Sequence, residues 1–352
     1  MKLFFLGRRA HPVWGKFSDN KLPRYDSDAE GIHAKFDPTS ILPHYNHIET
    51  SGFGCSAIIN YRIGKNGRLK KYIFAVFPAI RMYPDFTRSS FSTEVKGLKF
   101  STGKVKAERV DFDGILTLTG TSGGIEVRES ISAAAKRRAV VFRYTVENKR
   151  GNIAEFTVKK PSNKTTPAFF AMDGKAKKVI YSAFIGGKEI CGKEKIRLNA
   201  GEKVELLYAA GTEELSEKQI EQEFCMRRTF IEESGKRLHI ETPEKEFDQM
   251  VDFCKIRASE SIFETPGGLM HSPGGGNFYG AMWTNDECEY VNPLFAYLGY
   301  DKAREQSLHC YELFGRLAKE DEAIYTSIIA CGNGYWHGAK DRGDNAMYLY
   351  GV

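Results

Sequence analysis

The chain has 352 residues, of which 41% are hydrophobic and 27% are charged, a balance typical of folded globular proteins and not of disordered or fibrous ones. It contains no apolar run of about 18 residues or more, so no membrane-spanning helix is predicted. The seven cysteines are odd in number and none forms a CxxC pair, which argues against a disulfide framework and a zinc knuckle. We predict no cofactor and no bound metal.

The N-terminus, Met1 to Arg9, has only four consecutive apolar residues, too few for the core of a signal peptide, so we expect a cytoplasmic protein. The net charge is +6, but residues 1–243 carry +14 and residues 244–352 carry −8. This asymmetry indicates two parts with different roles. The basic residues of the first part are scattered and match no recognition motif, so no nucleic-acid partner is expected.

Short segments typical of β-strands follow one another through the first part. They lie at 54–63, 69–77, 115–120, 139–147, 153–159, 179–185, 195–198 and 203–209. The first two are separated by a hairpin signal, Gly64-Lys65-Asn66-Gly67. Many short strands with turns between them predict an antiparallel β-sandwich, which we assign to residues 1–212.

The pattern becomes helical after residue 212. A charged segment at 213–233 predicts a connecting helix, and we assign 213–242 to this helix and a connector. Residues 243–352 are predicted to consist of helices and long loops. The helices are expected at about 247–258, 286–298 and 301–319, with a last one that starts near Asp344. In the first of them Phe247, Met250, Val251, Cys254 and Ala258 recur at helical spacing on one face.

The first of two unusual loops spans 264–289 and contains six glycines, but no Gly-Lys-Ser/Thr of a phosphate loop. It ends in Trp283, Asn285, Asp286 and Glu289, which place an indole beside an amide and two carboxylates. Such a set suits a sugar, because the ring stacks on the indole while the hydroxyls donate to oxygens. Asp286 and Glu289 are therefore catalytic candidates, and Trp283 and Asn285 are substrate-binding candidates.

Thr284 and Glu287 have a structural explanation instead. Their spacing matches a capping box, in which the hydroxyl and the carboxylate satisfy free main-chain N–H groups at a helix start. We expect these two residues to begin the helix that follows.

The second loop spans 330–344 and contains four glycines. Its candidates are Trp336, His337, Asp341, Arg342 and Asp344. Two carboxylates that flank an arginine can hold a polyhydroxyl or charged ligand, and one of them can act as a general acid. Asp341 is the catalytic candidate and the other four are substrate-binding candidates. Alternatively, Asp344 caps the last helix and Arg342 forms a structural ion pair.

A β-sandwich, a linker helix and then helical hairpins with Trp283-Thr284-Asn285-Asp286 near their start resembles the six-hairpin glycosidases, which include glucoamylases, trehalases and bacterial α-L-rhamnosidases. The motifs that carry the resemblance lie at 260–263, 267–276, 283–289 and 341–351. It implies a multidomain β + α fold: an N-terminal antiparallel β-sandwich, a linker helix, and the first helices of an incomplete (α/α)6 barrel. It also implies that Trp283 and Asp286 line the sugar subsite at the cleaved bond.

Such a barrel has twelve helices, and this sequence provides about four. We therefore expect a C-terminally truncated chain whose second catalytic carboxylate and partner half-barrel lie elsewhere. The predicted function is a glycoside hydrolase, or the N-terminal part of one, acting on an oligo- or polysaccharide by carboxylate acid–base catalysis. Two alternatives stay open. One is a polysaccharide lyase that uses Tyr335, His337 and Arg342, and the other is a non-catalytic carbohydrate-binding remnant.

Overall fold

The computed structural model describes residues 25–28, 31–35, 44–64, 67–77, 91–166, 177–265, 267–272, 281–329, 332–336 and 343–352. Within these ranges the chain is antiparallel β structure up to Gly211 and mainly helical beyond it. None of the helices found there has the length and apolar character needed to cross a lipid bilayer.

The first part consists of short antiparallel strands. They are β1 (Tyr25–Asp28), β2 (Gly31–Lys35), β3 (His44–Gly52), β4 (Cys55–Ile63), β5 (Leu69–Phe77), β6 (Phe91–Val95), β7 (Lys99–Phe100), β8 (Lys106–Phe112), β9 (Leu116–Ser122), β10 (Ile125–Ala133), β11 (Ala139–Asn148), β12 (Ala154–Lys159), β13 (Lys164–Thr166), β14 (Lys177–Ile185), β15 (Lys188–Glu189), β16 (Lys193–Leu198) and β17 (Lys203–Gly211).

These strands form a β-sandwich, as the turn-punctuated sequence predicts. The main sheet has the order β1-β2-β8-β9-β10-β11-β17-β14-β13, with β15 beside β14. A second sheet, β3-β4-β5-β6, packs against it, and a third, β16-β12-β7, completes the described strands. Side chains such as Ile59 and Phe77 from the second sheet meet Phe142 and Tyr208 from the main sheet in one continuous apolar core.

The second part begins with two longer helices. The elements are α1 (Glu217–Lys236), α2 (Lys245–Glu260), β18 (Ile262–Thr265), β19 (Gly268–His271), β20 (Ala281–Trp283), a π-helical segment (Asp286–Val291), α3 (Asn292–Leu298), α4 (Asp301–Leu317), β21 (Ser327–Ile329), β22 (Gly334–Trp336) and α5 (Asp344–Gly351). The predicted helices at 213–233, 247–258 and 301–319, and the start near Asp344, are therefore confirmed within a few residues. α3 ends at Gly299, which has a φ of 66°.

The helix α1 covers the outer face of the main sheet. Ile220 and Phe224 of α1 pack on Val141 of β11 and on Leu207 and Ala209 of β17. Because residues alternate between the two faces of a strand, β11 sends Phe142 to the sandwich core and Val141 to the helix. The sheet that carries the first part is thus also the platform on which the helical part begins.

One sequence expectation for the second part was wrong. Residues 243–352 were predicted as helix and long loop, but they also contain two small antiparallel sheets, β18-β19 and β20-β21-β22. Their strands have three or four residues each, too short to produce a period-2 pattern of apolar residues. The predicted helix at 286–298 is also divided into a π-helical segment and α3.

Candidate functional site

The two loops singled out in the sequence meet in the sheet β20-β21-β22. Trp283 pairs with Ser327 across β20 and β21, and Ser327 pairs with Trp336 across β21 and β22. Since neighbouring strands lie about 4.8 Å apart, the main chains of the two tryptophans are on the order of 10 Å apart. The structure therefore brings the clusters at 283–289 and 334–336 to one small sheet.

Three hydrogen bonds tie the rest of the site to this sheet. The Thr284 hydroxyl donates to the Tyr325 carbonyl at 2.6 Å, and the Thr284 N–H donates to the Thr326 carbonyl at 3.0 Å. The Thr326 hydroxyl donates to Asp344 Oδ2 at 3.0 Å. Asp344 begins α5 and is 5% exposed. Thr326 thus connects the start of the π-helical segment with the start of α5.

Glu287 lies at the centre of a buried polar cluster. It has 0% exposure, and Oε1 lies 3.0 Å from His271 Nδ1 while Oε2 accepts from Gln306 Nε2 at 2.9 Å. The His271 ring also packs edge-on against Phe295, with centroids 5.7 Å apart. This cluster joins β19, the π-helical segment and α4, so it holds the segment that carries Asp286 in one orientation.

The capping-box expectation for Thr284 and Glu287 was wrong. The hydroxyl of Thr284 and the carboxylate of Glu287 bond to residues distant in sequence, and the residue that caps the π-helical segment, Asn285, makes no side-chain cap bond. The alternative in which Asp344 caps the last helix was also wrong. Gly343 occupies the cap of α5 without a side-chain bond, while the Asp344 carboxylate bonds to Thr326.

Asp286 and Asn285 lie beside this cluster, and both are half-buried. The Asn285 Oδ1 is buried and has no hydrogen-bond partner among the residues that the structure describes. Asp344 Oδ1 and the Ser327 hydroxyl are also buried and have no hydrogen-bond partner within those ranges. Asn285 Oδ1 and Asp344 Oδ1 can therefore each accept a further hydrogen bond, and the Ser327 hydroxyl can donate or accept one.

Glu289 is exposed, unlike its neighbour Glu287. Its negative charge and a side-chain hydrogen bond raise the pKa of the Tyr290 hydroxyl, with smaller contributions from burial and from Asp286. Glu289 and Asp286 are thus close enough to influence one phenol, while Glu287 is directed into the interior.

The remaining candidates lie partly or wholly beyond the described ranges. His337, Asp341 and Arg342 fall outside them, and Trp336 is described by its main-chain pairing alone. In the described part of the chain, no group of three or more His, Cys, Asp or Glu side chains is arranged to hold a metal ion.

A pair of cysteines lies behind the polar cluster. Cys288 and Cys310 are both buried, and burial raises the pKa of the Cys310 thiol well above its usual value. The hydrogen bond that the Cys310 thiol donates to Cys288 and the negative charge of Glu287 raise this pKa further. The thiol is therefore protonated and unreactive, and it serves as packing next to the cluster.

Sequence reasoning missed three residues of this site: Gln306, Thr326 and Ser327. His271 was not among the candidate site residues either. Gln306 lies within the helical repeat of α4 on the buried side, where an isolated glutamine among apolar residues is a detectable signal. Thr326 and Ser327 follow a turn and had no such signal.

No protein-family model matches the chain, and no curated protein has a significant match to it. Among solved structures it is similar to one named as a kojibiose phosphorylase from the human microbiome, with a TM-score of 0.47 and 9% identity over 84% of this chain and 50% of that chain. It is also similar to a bacterial glucoamylase complexed with acarbose, with a TM-score of 0.35 and 10% identity over 87% of this chain and 56% of that chain. The chain spans about half the length of these solved structures.

Proposed function

We propose that this chain acts on the glycosidic bonds of an oligo- or polysaccharide, as a glycoside hydrolase or the N-terminal part of one. The observation that carries the proposal is the row Trp283–Ser327–Trp336, which joins the two loops with indole and acid residues. The half-buried Asp286 and the buried Asp344 flank that row. An indole with carboxylates nearby suits a pyranose ring, because the ring stacks on the indole while its hydroxyls donate to the carboxylates.

The proposed reaction uses two carboxylates on opposite sides of the scissile bond. One protonates the leaving oxygen, and the other activates water or attacks the anomeric carbon. We assign one of these roles to Asp286. The second carboxylate is Asp341 or Glu289 in this proposal, or it belongs to the further helices that complete the barrel. Asn285 Oδ1 and Asp344 Oδ1 accept hydrogen bonds from sugar hydroxyls in this proposal, since neither has a partner among the described residues.

Glu287 has a positioning role in the proposal. Both of its oxygens are already bonded, to His271 and Gln306, and the side chain is wholly buried. It therefore orients the segment on which Asp286 lies and does not itself reach the sugar. Trp336, His337 and Arg342 remain proposed substrate contacts from the second loop.

We also propose that further helices, on the same polypeptide or on a partner, complete the (α/α)6 barrel. Large apolar side chains stand exposed on the last helices: Tyr297 of α3 at 77%, Leu308 of α4 at 59% and Leu349 of α5 at 76%. Exposed apolar residues on several neighbouring helices favour additional packing partners. The proposal divides the chain into a β-sandwich domain at 1–212, a linker helix with its connector at 213–242, and a partial barrel domain at 243–352.

The test is an activity screen of the full chain on a panel of oligo- and polysaccharides, with and without inorganic phosphate, using mass spectrometry of the products. Dependence on phosphate distinguishes phosphorolysis from hydrolysis. Asp286→Asn is expected to lower activity by about 100-fold or more, because it removes a proton-transfer group. Asp321→Asn, at an exposed turn after α4, is the matched control and leaves activity unchanged.

The other outcomes identify the alternatives. Products that absorb as unsaturated uronates indicate the lyase. Glycan binding that quenches tryptophan fluorescence, is weakened by Trp283→Ala and gives no product indicates the binding remnant. Full activity of Asp286→Asn contradicts the role assigned to this carboxylate.

A further inference from the structure

A pocket of about 420 Å³ lies where the β-sandwich meets the first two helices of the second part. Its walls come from the end of β3 and the residues after it, the middle of α1 and the end of α2. None of the candidates of the proposed sugar site lines it. The pocket is therefore a separate feature, and it has the size of a small-molecule site.

The walls of the pocket are mainly aromatic and aliphatic. Phe53, Phe230 and Tyr300 line it together with Met226 and Ile262. Phe230 and Tyr300 meet edge to face, with centroids 6.1 Å apart, so their rings hold a defined geometry. Aromatic walls of this kind favour a flat ring, which stacks or packs edge-on against them.

The charges along the pocket leave one cation without a carboxylate. Of the lining carboxylates, Glu260 pairs with the buried Arg227, and Glu233 pairs with Arg237 at 3.2 Å. The ammonium of Lys136, which is exposed at the pocket, pairs with no carboxylate within the described ranges. The unpaired charge is positive, so the pocket complements a ligand with one negative charge.

A polar side chain in the wall indicates that the ligand carries a second polar group. Ser259 lines the pocket and is 3% exposed, and its hydroxyl has no hydrogen-bond partner among the residues described. Buried hydroxyls are nearly always bonded, so this one, just beneath the pocket wall, is available to a ligand group that reaches it. A ligand hydroxyl satisfies Ser259 as donor or acceptor.

We propose that this pocket binds a small aromatic carboxylate that carries a hydroxyl group. The ring lies among Phe53, Phe230 and Tyr300, the carboxylate meets Lys136, and the hydroxyl bonds to Ser259. The proposal does not depend on the chemistry assigned to the sugar site, and its test requires no catalysis.

The test is calorimetric titration of the full chain with 3-(4-hydroxyphenyl)propionate, its neutral amide and 3-phenylpropionate, which lacks the hydroxyl. We expect one site per chain, with the amide and the compound without the hydroxyl each binding about tenfold more weakly. Lys136→Gln removes the preference for the acid over its amide. Lys218→Gln, an exposed lysine of α1 outside the pocket, is the matched control and leaves this preference unchanged.

The chain also offers a matched pair of serines. Ser234 of α1 is 1% exposed and its hydroxyl likewise has no partner among the described residues, but it does not line the pocket. Ser259→Ala is expected to weaken binding of the hydroxylated acid about tenfold and to leave 3-phenylpropionate unaffected, whereas Ser234→Ala changes neither.

Cys225, an exposed thiol at the pocket, gives a second measurement. In a chain with Cys191, Cys254 and Cys331 replaced by serine, the hydroxylated acid is expected to slow alkylation of Cys225. Absence of both heat and protection overturns the proposal. Equal affinity for acid and amide, or equal effects of the two serine variants, overturns it as well.

Discussion

The apolar core of the β-sandwich and the candidate site bury different kinds of side chain. The sandwich core is a continuous set of apolar residues, with Phe142, Tyr208 and Ile59 at its centre. Around the candidate site, by contrast, the fully buried groups include Glu287 and Gln306, each with 0% exposure. Apolar burial stabilises without demanding direction, whereas a buried polar group must meet a partner in one geometry. The apolar core thus mainly contributes stability, whereas the polar cluster fixes the orientation of the elements that carry the candidate site.

A cluster of charged side chains joins the two regions. Arg227 of α1 donates to the carbonyls of Ser51 and Gly114 in the sandwich, and it forms an ion pair with Glu260 at the end of α2. Arg257 pairs with the same carboxylate. Burial lowers the pKa of Arg227 to about 9 and that of Arg257 to about 10, which shows how strongly this interior disfavours charge. The junction therefore depends on Glu260.

The largest effect is expected from a substitution that breaks this junction. Glu260→Ala leaves the buried guanidinium of Arg227 and the half-buried one of Arg257 without this carboxylate, and it is expected to lower the free energy of unfolding by about 3–5 kcal/mol. Urea unfolding followed by circular dichroism measures the change. Glu221→Ala is the control, because it removes an exposed carboxylate that lies 2.6 Å from Arg143 and should cost less than about 1 kcal/mol. Equal losses in the two variants would contradict the role of the junction.

The next effect is confined to the helical part. Glu287→Ala leaves His271 and Gln306 without their acceptor and is expected to cost about 2–3 kcal/mol. Hydrogen exchange should show faster exchange in β19, α4 and the π-helical segment, with β10 and β11 unchanged. The neighbouring Glu289→Ala, at an exposed carboxylate, is expected to change stability by less than about 0.5 kcal/mol. Faster exchange throughout the sandwich would show that the two regions do not differ as described.

The smallest effect concerns the pH dependence that two buried tyrosines of the sandwich contribute to stability. Burial raises the pKa of Tyr144 and of Tyr208 well above the usual value of 10, and the charge of Glu129 adds to both. Above pH 10 the unfolded chain releases tyrosine protons that the folded chain keeps. The free energy of unfolding therefore falls as the pH rises, by about 1.4 kcal/mol per pH unit for each tyrosine.

Tyr144→Phe isolates one of these contributions. Between pH 10 and 11 its unfolding free energy, measured in urea, is expected to fall by about 1 kcal/mol less than that of the unaltered chain, because an unfolded tyrosine is only half ionised at pH 10. Phe142→Leu, in the same strand, lowers stability without changing the slope because it has no titratable group. An unchanged slope in Tyr144→Phe would mean that Tyr144 is ionised equally in both states.

The sequence predicted the elements of this fold where the local signal is long. The strand at 203–209 and the helix at 301–319 have enough residues for an alternating or helical pattern, and Gly299 ends its helix because glycine readily adopts a positive φ. The short strands β18 to β22 had no comparable signal. The Pro266-Gly267 dipeptide was the available hint of a turn between β18 and β19.

The partners within the site were beyond local reasoning. Thr284 bonds to the carbonyl of Tyr325, 41 residues away, and His271 meets Glu287 across a glycine-rich loop. The helical spacing of Phe247, Met250 and Cys254 correctly predicted a helix, yet these side chains are exposed. The opposite side of α2 faces the sandwich: Phe253 packs against Phe112, and Glu260 pairs with Arg227. Both contacts are to residues distant in sequence, so the local apolar pattern did not predict which side of α2 is buried.

The π-helical segment at 286–291 makes the chain sensitive to a change in length at this point. Each residue of an α-helix turns the chain by about 100°, so deleting one residue here to restore an ordinary α-helix would rotate everything before it relative to α3. Glu287 would then point away from either His271 or Gln306, which lie on elements before and after the segment. Insertions and deletions should therefore be absent from this stretch in functional homologues, even where substitutions are frequent.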